Sequence, residues 1–137
     1  MFKASTKFLI VDDFANMRKS IKKILKNAGY DNALEAADGY KAYQLLAEHS
    51  KSPLPIEFVI SDWNMPVMSG IELLKKCRNE EIFKTLPFMF VTAEGERKQL
   101  NEAMSFGATE YVVKPFSPAQ LKEKLLSAFN KSVSKNS

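Results

Sequence analysis

Short unbroken apolar runs alternate along the chain with stretches whose apolar residues recur every three or four positions. Phe8-Leu9-Ile10-Val11, Phe58-Val59-Ile60 and Phe88-Met89-Phe90-Val91 are continuous, as strands buried on both faces are. They predict strands over residues 7–11, 57–61 and 87–91, and two weaker runs predict strands over 33–37 and 110–113. Between them the period becomes helical. Met17, Ile21, Ile24, Leu25 and Ala28 form one apolar face, with Arg18, Lys19, Lys22, Lys23 and Lys26 largely on the other, and Gly29 stops that helix. Asp38 is placed to cap a second helix running to about Glu48, with Ala42, Leu45 and Leu46 inward. A third, over 70–78, buries Ile71, Leu74 and Cys77, and a fourth, over 96–106, offers Leu100, Ala103 and Met104 before Gly107.

The last helix has the sharpest start. Ser117 can cap, Pro118 suits the first helical position, and Gln120 can close a capping box. Leu121, Leu125, Ala128 and Phe129 continue its apolar face, and the Lys/Ser/Asn tail over 131–137 is expected to fray. The polar stretch 49–55, with Pro53 and Pro55, predicts a loop on the side away from the strand ends. Five strands alternating with five helices predict an α/β fold, a parallel sheet covered on both faces through right-handed crossovers. The 137 residues suit one domain, with its core over about 7–130 and neither repeat nor linker.

Composition narrows the function. Lys and Arg total 20 against 16 Asp and Glu, a formal charge of +4. The lysines are spread over several segments without a nucleic-acid motif, so they read as a solvated basic surface, not a nucleic-acid interface. No apolar run approaches a membrane span and the first residues lack a signal peptide, which points to a cytoplasmic protein. The single cysteine, Cys77, excludes an internal disulfide, and the single histidine, His49, excludes a His-rich metal site.

The chemistry collects at the strand ends. The first strand ends in Asp12 and Asp13, the third in Asp62, the fourth in Thr92 and the fifth in Lys114. Parallel strands present their carboxyl ends on one side, so neighbouring first and third strands would crowd three carboxylates into one crevice. Their mutual repulsion is relieved by a hard divalent cation such as Mg²⁺, which takes carboxylate, water and phosphate oxygens. Lys114 and Thr92 add a cation and a neutral donor, a set suited to a phosphoryl group. Asp62, already ionised at neutral pH, needs no general base to attack phosphorus. Singly, each residue has a plainer reading: Asp12 and Asp13 as helix caps, Thr92 as a strand end, Lys114 as a solvated lysine.

This ordered set resembles the receiver domain of two-component response regulators, and the chemotaxis type in particular. The resemblance is carried by Asp12-Asp13-Phe14 with Met17-Arg18, by the stretch Phe58 to Pro66, by Val91-Thr92-Ala93-Glu94 and by Tyr111-Val112-Val113-Lys114-Pro115-Phe116, and it spans about 7–129. It implies a flavodoxin-like (βα)5 fold with strand order 2-1-3-4-5. It implies that Asp62 is the phosphoacceptor, that Asp13, Asp62 and the Asn64 carbonyl hold Mg²⁺ with Asp12 bonding its waters, and that Thr92 and Lys114 bind phosphoryl oxygens. Lys114–Pro115 would be cis. Asn64 and Glu94 match positions that tune dephosphorylation, and Tyr111 matches a switch aromatic. In the family the threonine moves toward the phosphoryl group and the aromatic ring turns into the vacated space. That remodels the face of the fourth helix, fifth strand and fifth helix, where Leu100, Tyr111 and Lys124 fall. The plainer readings are core packing for Leu100 and a solvated charge for Lys124. The chain departs from the family in a longer 49–55 loop and in its positive charge.

The implied function is a stand-alone switch, not an enzyme beyond its own phosphorylation and slow autodephosphorylation. Neither GxxxxGK[ST] nor GxGxxG occurs, so ATP is not the expected direct donor. The expected donor is a phosphohistidine on a chemotaxis-type sensor kinase, or a small acyl phosphate. The expected target is the flagellar motor switch protein, with a dedicated phosphatase as a further partner and the chain itself a monomer. The alternatives are a phosphorelay shuttle or phosphate sink, and a Mg²⁺-dependent aspartyl-phosphate phosphatase. The last is disfavoured because the first-strand acids are adjacent, not two apart, and no cap domain follows.

Overall fold

The computed structural model describes residues 2–93 and 97–136. The strands are β1 (Phe8–Val11), β2 (Ala33–Ala36), β3 (Phe58–Asp62), β4 (Phe88–Ala93) and β5 (Glu110–Lys114). The helices are α1 (Ala15–Asn27), α2 (Gly39–His49), α3 (Gly70–Arg78), α4 (Arg97–Ser105) and α5 (Pro118–Asn136). All five strands are parallel, in the order β2-β1-β3-β4-β5. This is the flavodoxin-like order that the family resemblance implies.

Strand alternation divides the core in two. Leu9, Val11 and Val59 face the layer holding Ala42, Leu46, Leu73, Leu74 and Cys77 of α2 and α3. Phe8, Ile10, Phe58 and Ile60 face Ile21 and Leu25 of α1 and Leu121, Leu125 and Ala128 of α5. Burial on both faces accounts for the unbroken apolar runs of the central strands. Phe2 extends the second layer, its ring 5.1 Å from that of Phe58 and 5.0 Å from that of Phe129.

The helix signals act as anticipated. Asp38 Oδ1 accepts from Lys41 N–H at 2.8 Å, and Gly29 and Gly107 take positive φ just past α1 and α4. Ser117 and Gln120 form their reciprocal pair, at 2.8 and 3.1 Å. Other details are corrected. β3 and β4 run one and two residues past the strands expected over 57–61 and 87–91, so Asp62 and Thr92 lie inside strands. Leu73 is fully buried in α3, while Met104 is 38% exposed because α4 turns Leu100 and Ala103 inward instead. α5 extends to Asn136, over the tail expected to fray, and Lys131 Nζ bonds Glu110 and the Thr109 carbonyl. A short 3-10 turn at Glu81–Phe83 was not anticipated and buries Phe83.

Candidate functional site

The β1–β3 ladder pairs Val11 with Ser61, which brings the residues just after them, Asp12 and Asp62, side by side. Asp12, Asp13 and Asp62 each offer an oxygen within 4.8 Å of the others. Asp12 is 1% exposed, Asp62 8%, and Asp13 is open to solvent. The plainer reading of the pair as caps fails, since the residue capping α1 is Phe14, with no side-chain hydrogen bond. Asp12 Oδ1 instead accepts from Phe14 N–H at 2.8 Å, which holds its carboxylate toward the crevice.

Lys114 ends β5 and reaches across the sheet top. Its Nζ lies 3.5 Å from Asp12 Oδ2 and 3.5 Å from Asp62 Oδ1. The peptide after it, Lys114–Pro115, is cis. Burial raises the Asp62 carboxyl above its ordinary range; Lys114 opposes this, the Asp12 charge adds to it, and the Trp63 N–H bonded at 2.8 Å opposes it. Thr92 is fully buried, and its Oγ1 has no hydrogen-bond partner among the described residues. A buried hydroxyl without a partner is uncommon, and here it follows Val91, the β4 residue paired with Asp62.

The loop after Asp62 is tightly specified. Gly70 N–H bonds the Trp63 carbonyl at 2.9 Å, and Gly39 N–H bonds the Met68 carbonyl at 3.0 Å, which joins the loops after β2 and β3. Met68 N–H bonds the Pro66 carbonyl at 2.7 Å around Val67, whose φ is 68°, a γ-turn conformation rare for a β-branched residue. Asn64 lies exposed on this loop.

An oxygen-rich pocket of three carboxylates, one lysine and an unpartnered hydroxyl fits a hard divalent cation and an oxyanion. The donor set is wrong for a soft metal, which takes thiolate or imidazole. A cavity of about 700 Å³ lined by Arg78, Met104, Leu126 and Lys131 lies elsewhere and contains none of these residues.

Of the remaining expected residues, Tyr111 is half-buried, and the ring lies 4.9 Å from Lys124 Nζ. Leu100 is 8% exposed and serves the core. Glu94 lies outside the described residues. Three features had no sequence signal: Trp63 N–H on Asp62, Arg18 Nη1 bracing the Asp12 carbonyl at 2.6 Å while its Nε holds Glu35, and the burial of Glu110. Each depends on a contact between distant segments or on a backbone direction that residue type does not fix.

The chain matches the response regulator receiver domain over residues 8–126. It is 46% identical over 125 residues to the chemotaxis protein CheY-3 of Vibrio cholerae serotype O1, covering 91% of this chain and 92% of that one. It is also 46% identical over 125 residues to the chemotaxis protein CheY of Pseudomonas aeruginosa, covering 91% and 97%. The high-resolution structure of chemotaxis response regulator CheY4 of Vibrio cholerae superposes with a TM-score of 0.77 at 36% identity, covering 90% of this chain and 98% of that one. No helix among the described residues is long and apolar enough to cross a membrane.

Proposed function

The chain belongs to the response regulator receiver family, as a receiver of the CheY-like chemotaxis type, and from that premise we propose that it is a switch set by phosphorylation of Asp62. The observation that carries the reading is the gathering of Asp12, Asp13 and Asp62 within 4.8 Å, with Lys114 astride two of them.

Asp62 Oδ1 is engaged by Trp63 N–H and faces Lys114, so Oδ2 is the oxygen assigned to phosphorus. As the new O–P bond forms, the P–N bond of a phosphohistidine breaks and the electron pair leaves with the imidazole. With a small acyl phosphate the P–O bond breaks and a carboxylate departs. Asp12, Asp13, Asp62 and the Asn64 carbonyl would hold Mg²⁺, which when bound offsets the charge on the phosphoryl oxygens. Lys114 takes one phosphoryl oxygen and so exchanges a carboxylate partner for a phosphoryl one. Thr92 Oγ1 donates to another and so gains the partner it lacks among the described residues. Moving Thr92 frees space toward Tyr111, which ties the site to the face formed by α4, β5 and α5.

The donor in this reading is the histidine kinase of a chemotaxis system, and the target is the flagellar motor switch. The chemotaxis relatives support both. Incubation with acetyl phosphate and Mg²⁺ tests the chemistry. Wild type gains one acid-labile phosphoryl group and Asp62→Asn gains none; equal labelling of the variant rejects Asp62 as acceptor. Capture by the N-terminal segment of a motor switch protein, enhanced by a phosphate mimic, tests the output, and capture unchanged by the mimic rejects it.

A further inference from the structure

Glu110 opens β5, at the outer edge of the sheet, yet it is only 5% exposed. Its Oε2 accepts from Ser127 Oγ at 2.7 Å and from Lys131 Nζ at 3.0 Å. Its Oε1 accepts from Tyr111 N–H at 3.1 Å and lies 3.6 Å from Lys124 Nζ. Burial alone would raise this carboxyl, but the donors from Ser127, Lys131 and Tyr111 and the charge of Lys124 outweigh it and hold it below its ordinary range.

The next residue points the other way. Strand alternation turns Tyr111 to the opposite face, where it packs against the layer containing Phe88, Phe90 and Ala103. Lys124 belongs to α5, on the Glu110 side, yet its Nζ also stands 4.9 Å from the Tyr111 ring centroid. One lysine therefore wraps the free edge of β5 and touches both neighbours. A long, half-exposed lysine gains little from an aromatic ring alone and loses much rotamer freedom to stay there. A buried carboxylate with three further donors around it is a fixed anchor for that lysine.

We propose that Glu110 is a positioning residue for the Tyr111 face: it pins Lys124 against the Tyr111 ring and so holds the ring in its half-exposed position. The inference rests on the proposed function only in taking this face as the one that responds. While Lys124 is pinned, turning the ring inward forfeits the cation–π contact. With Glu110 neutral, Lys124 returns to solvent and the ring turns freely.

Solution NMR of the unphosphorylated full chain tests this through two signals, the ring-current shielding of the Lys124 ε-methylene and the χ1 rotamer populations of Tyr111. Wild type is expected to show a shielded methylene and one dominant rotamer. Glu110→Gln, which keeps one acceptor oxygen for the Tyr111 N–H and can donate its amide N–H to Ser127 Oγ, loses the shielding and averages the ring between rotamers. Lys124→Met averages the ring likewise, and Lys124→Arg restores the single rotamer, which a purely structural role of Glu110 would not require. Folded Glu110→Gln and Lys124→Met proteins with wild-type rotamer populations overturn the proposal; if Glu110→Gln does not fold, the two Lys124 variants decide it. Neither signal needs a phosphoryl group, so failure here is distinct from failure of Asp62 to accept one.

Discussion

A β-carbon on Gly70 would stand 2.2 Å from the carbonyl oxygen of Asp62. The first residue of α3 is thus packed directly beneath the proposed phosphoacceptor, closer than any side chain permits. Helix propensity alone would favour alanine at this position. The contact reverses that preference, so Gly70→Ala is expected to destabilise the protein by about 1–3 kcal/mol. Thermal unfolding reads the sign, and an unchanged or raised Tm would contradict the packing described.

Thr92 gives the opposite sign. Its Oγ1 is buried without a partner among the described residues, and a hydroxyl in that state costs stability. Replacing it by valine is expected to raise stability by about 1 kcal/mol while blunting the conformational response to phosphorylation. Denaturant unfolding checks the first part, and amide shift changes on adding a phosphate mimic check the second. A less stable Thr92→Val protein would mean that the hydroxyl is bonded in solution.

Lys114 is the one cation within 4 Å of the clustered carboxylates among the described residues. Lys114→Met removes the charge that opposes the upward shift of the Asp62 carboxyl and takes away a donor for the transferring phosphoryl group. The initial rate of labelling by acetyl phosphate should fall on the order of 100-fold. A rate within about twofold of wild type would remove Lys114 from the chemistry.

The raised Asp62 carboxyl has a defined effect on stability. Because its pKa is higher folded than unfolded, the native state holds the extra proton between the two values. Native stability therefore falls as pH rises through that window, and above it the ionised carboxylate is a standing penalty. Without divalent cation, Asp62→Asn should be more stable than wild type at neutral pH, with the difference closing in acid. Adding Mg²⁺ should stabilise wild type more than the variant, since only a bound ion raises Tm. Melts across pH in chelator and in Mg²⁺ measure both effects; a variant less stable than wild type in chelator at neutral pH would contradict the assignment.

Much of the fold and of the site is legible in the sequence. Continuous apolar runs marked the two-sided strands, and the acids at Asp12, Asp13 and Asp62 stood out because each closes such a run. Parallel pairing then does the rest, since register alone sets Asp12 beside Asp62. Side-chain contacts were less accessible. Met104, expected inward, is 38% exposed and Leu73, outside the expected apolar face, is fully buried, because a helix's rotation about its axis is set by packing, not by periodicity alone. The reach of α5 past Asn130 has no signal in the periodicity, because the tie of Lys131 to Glu110 links residues 21 apart in sequence. Glu110 looked like an ordinary strand start, and only the arrival of three α5 side chains makes it a buried acid.

The account stands on folding having gathered distant acids into one cation-dependent pocket. Isothermal titration of Mg²⁺ into wild type, Asp13→Asn and Asp62→Asn addresses that directly. One ion per wild-type chain, with affinity lost or sharply reduced in each variant, is the predicted result. No uptake by wild type, or equal affinity in all three proteins, would contradict it.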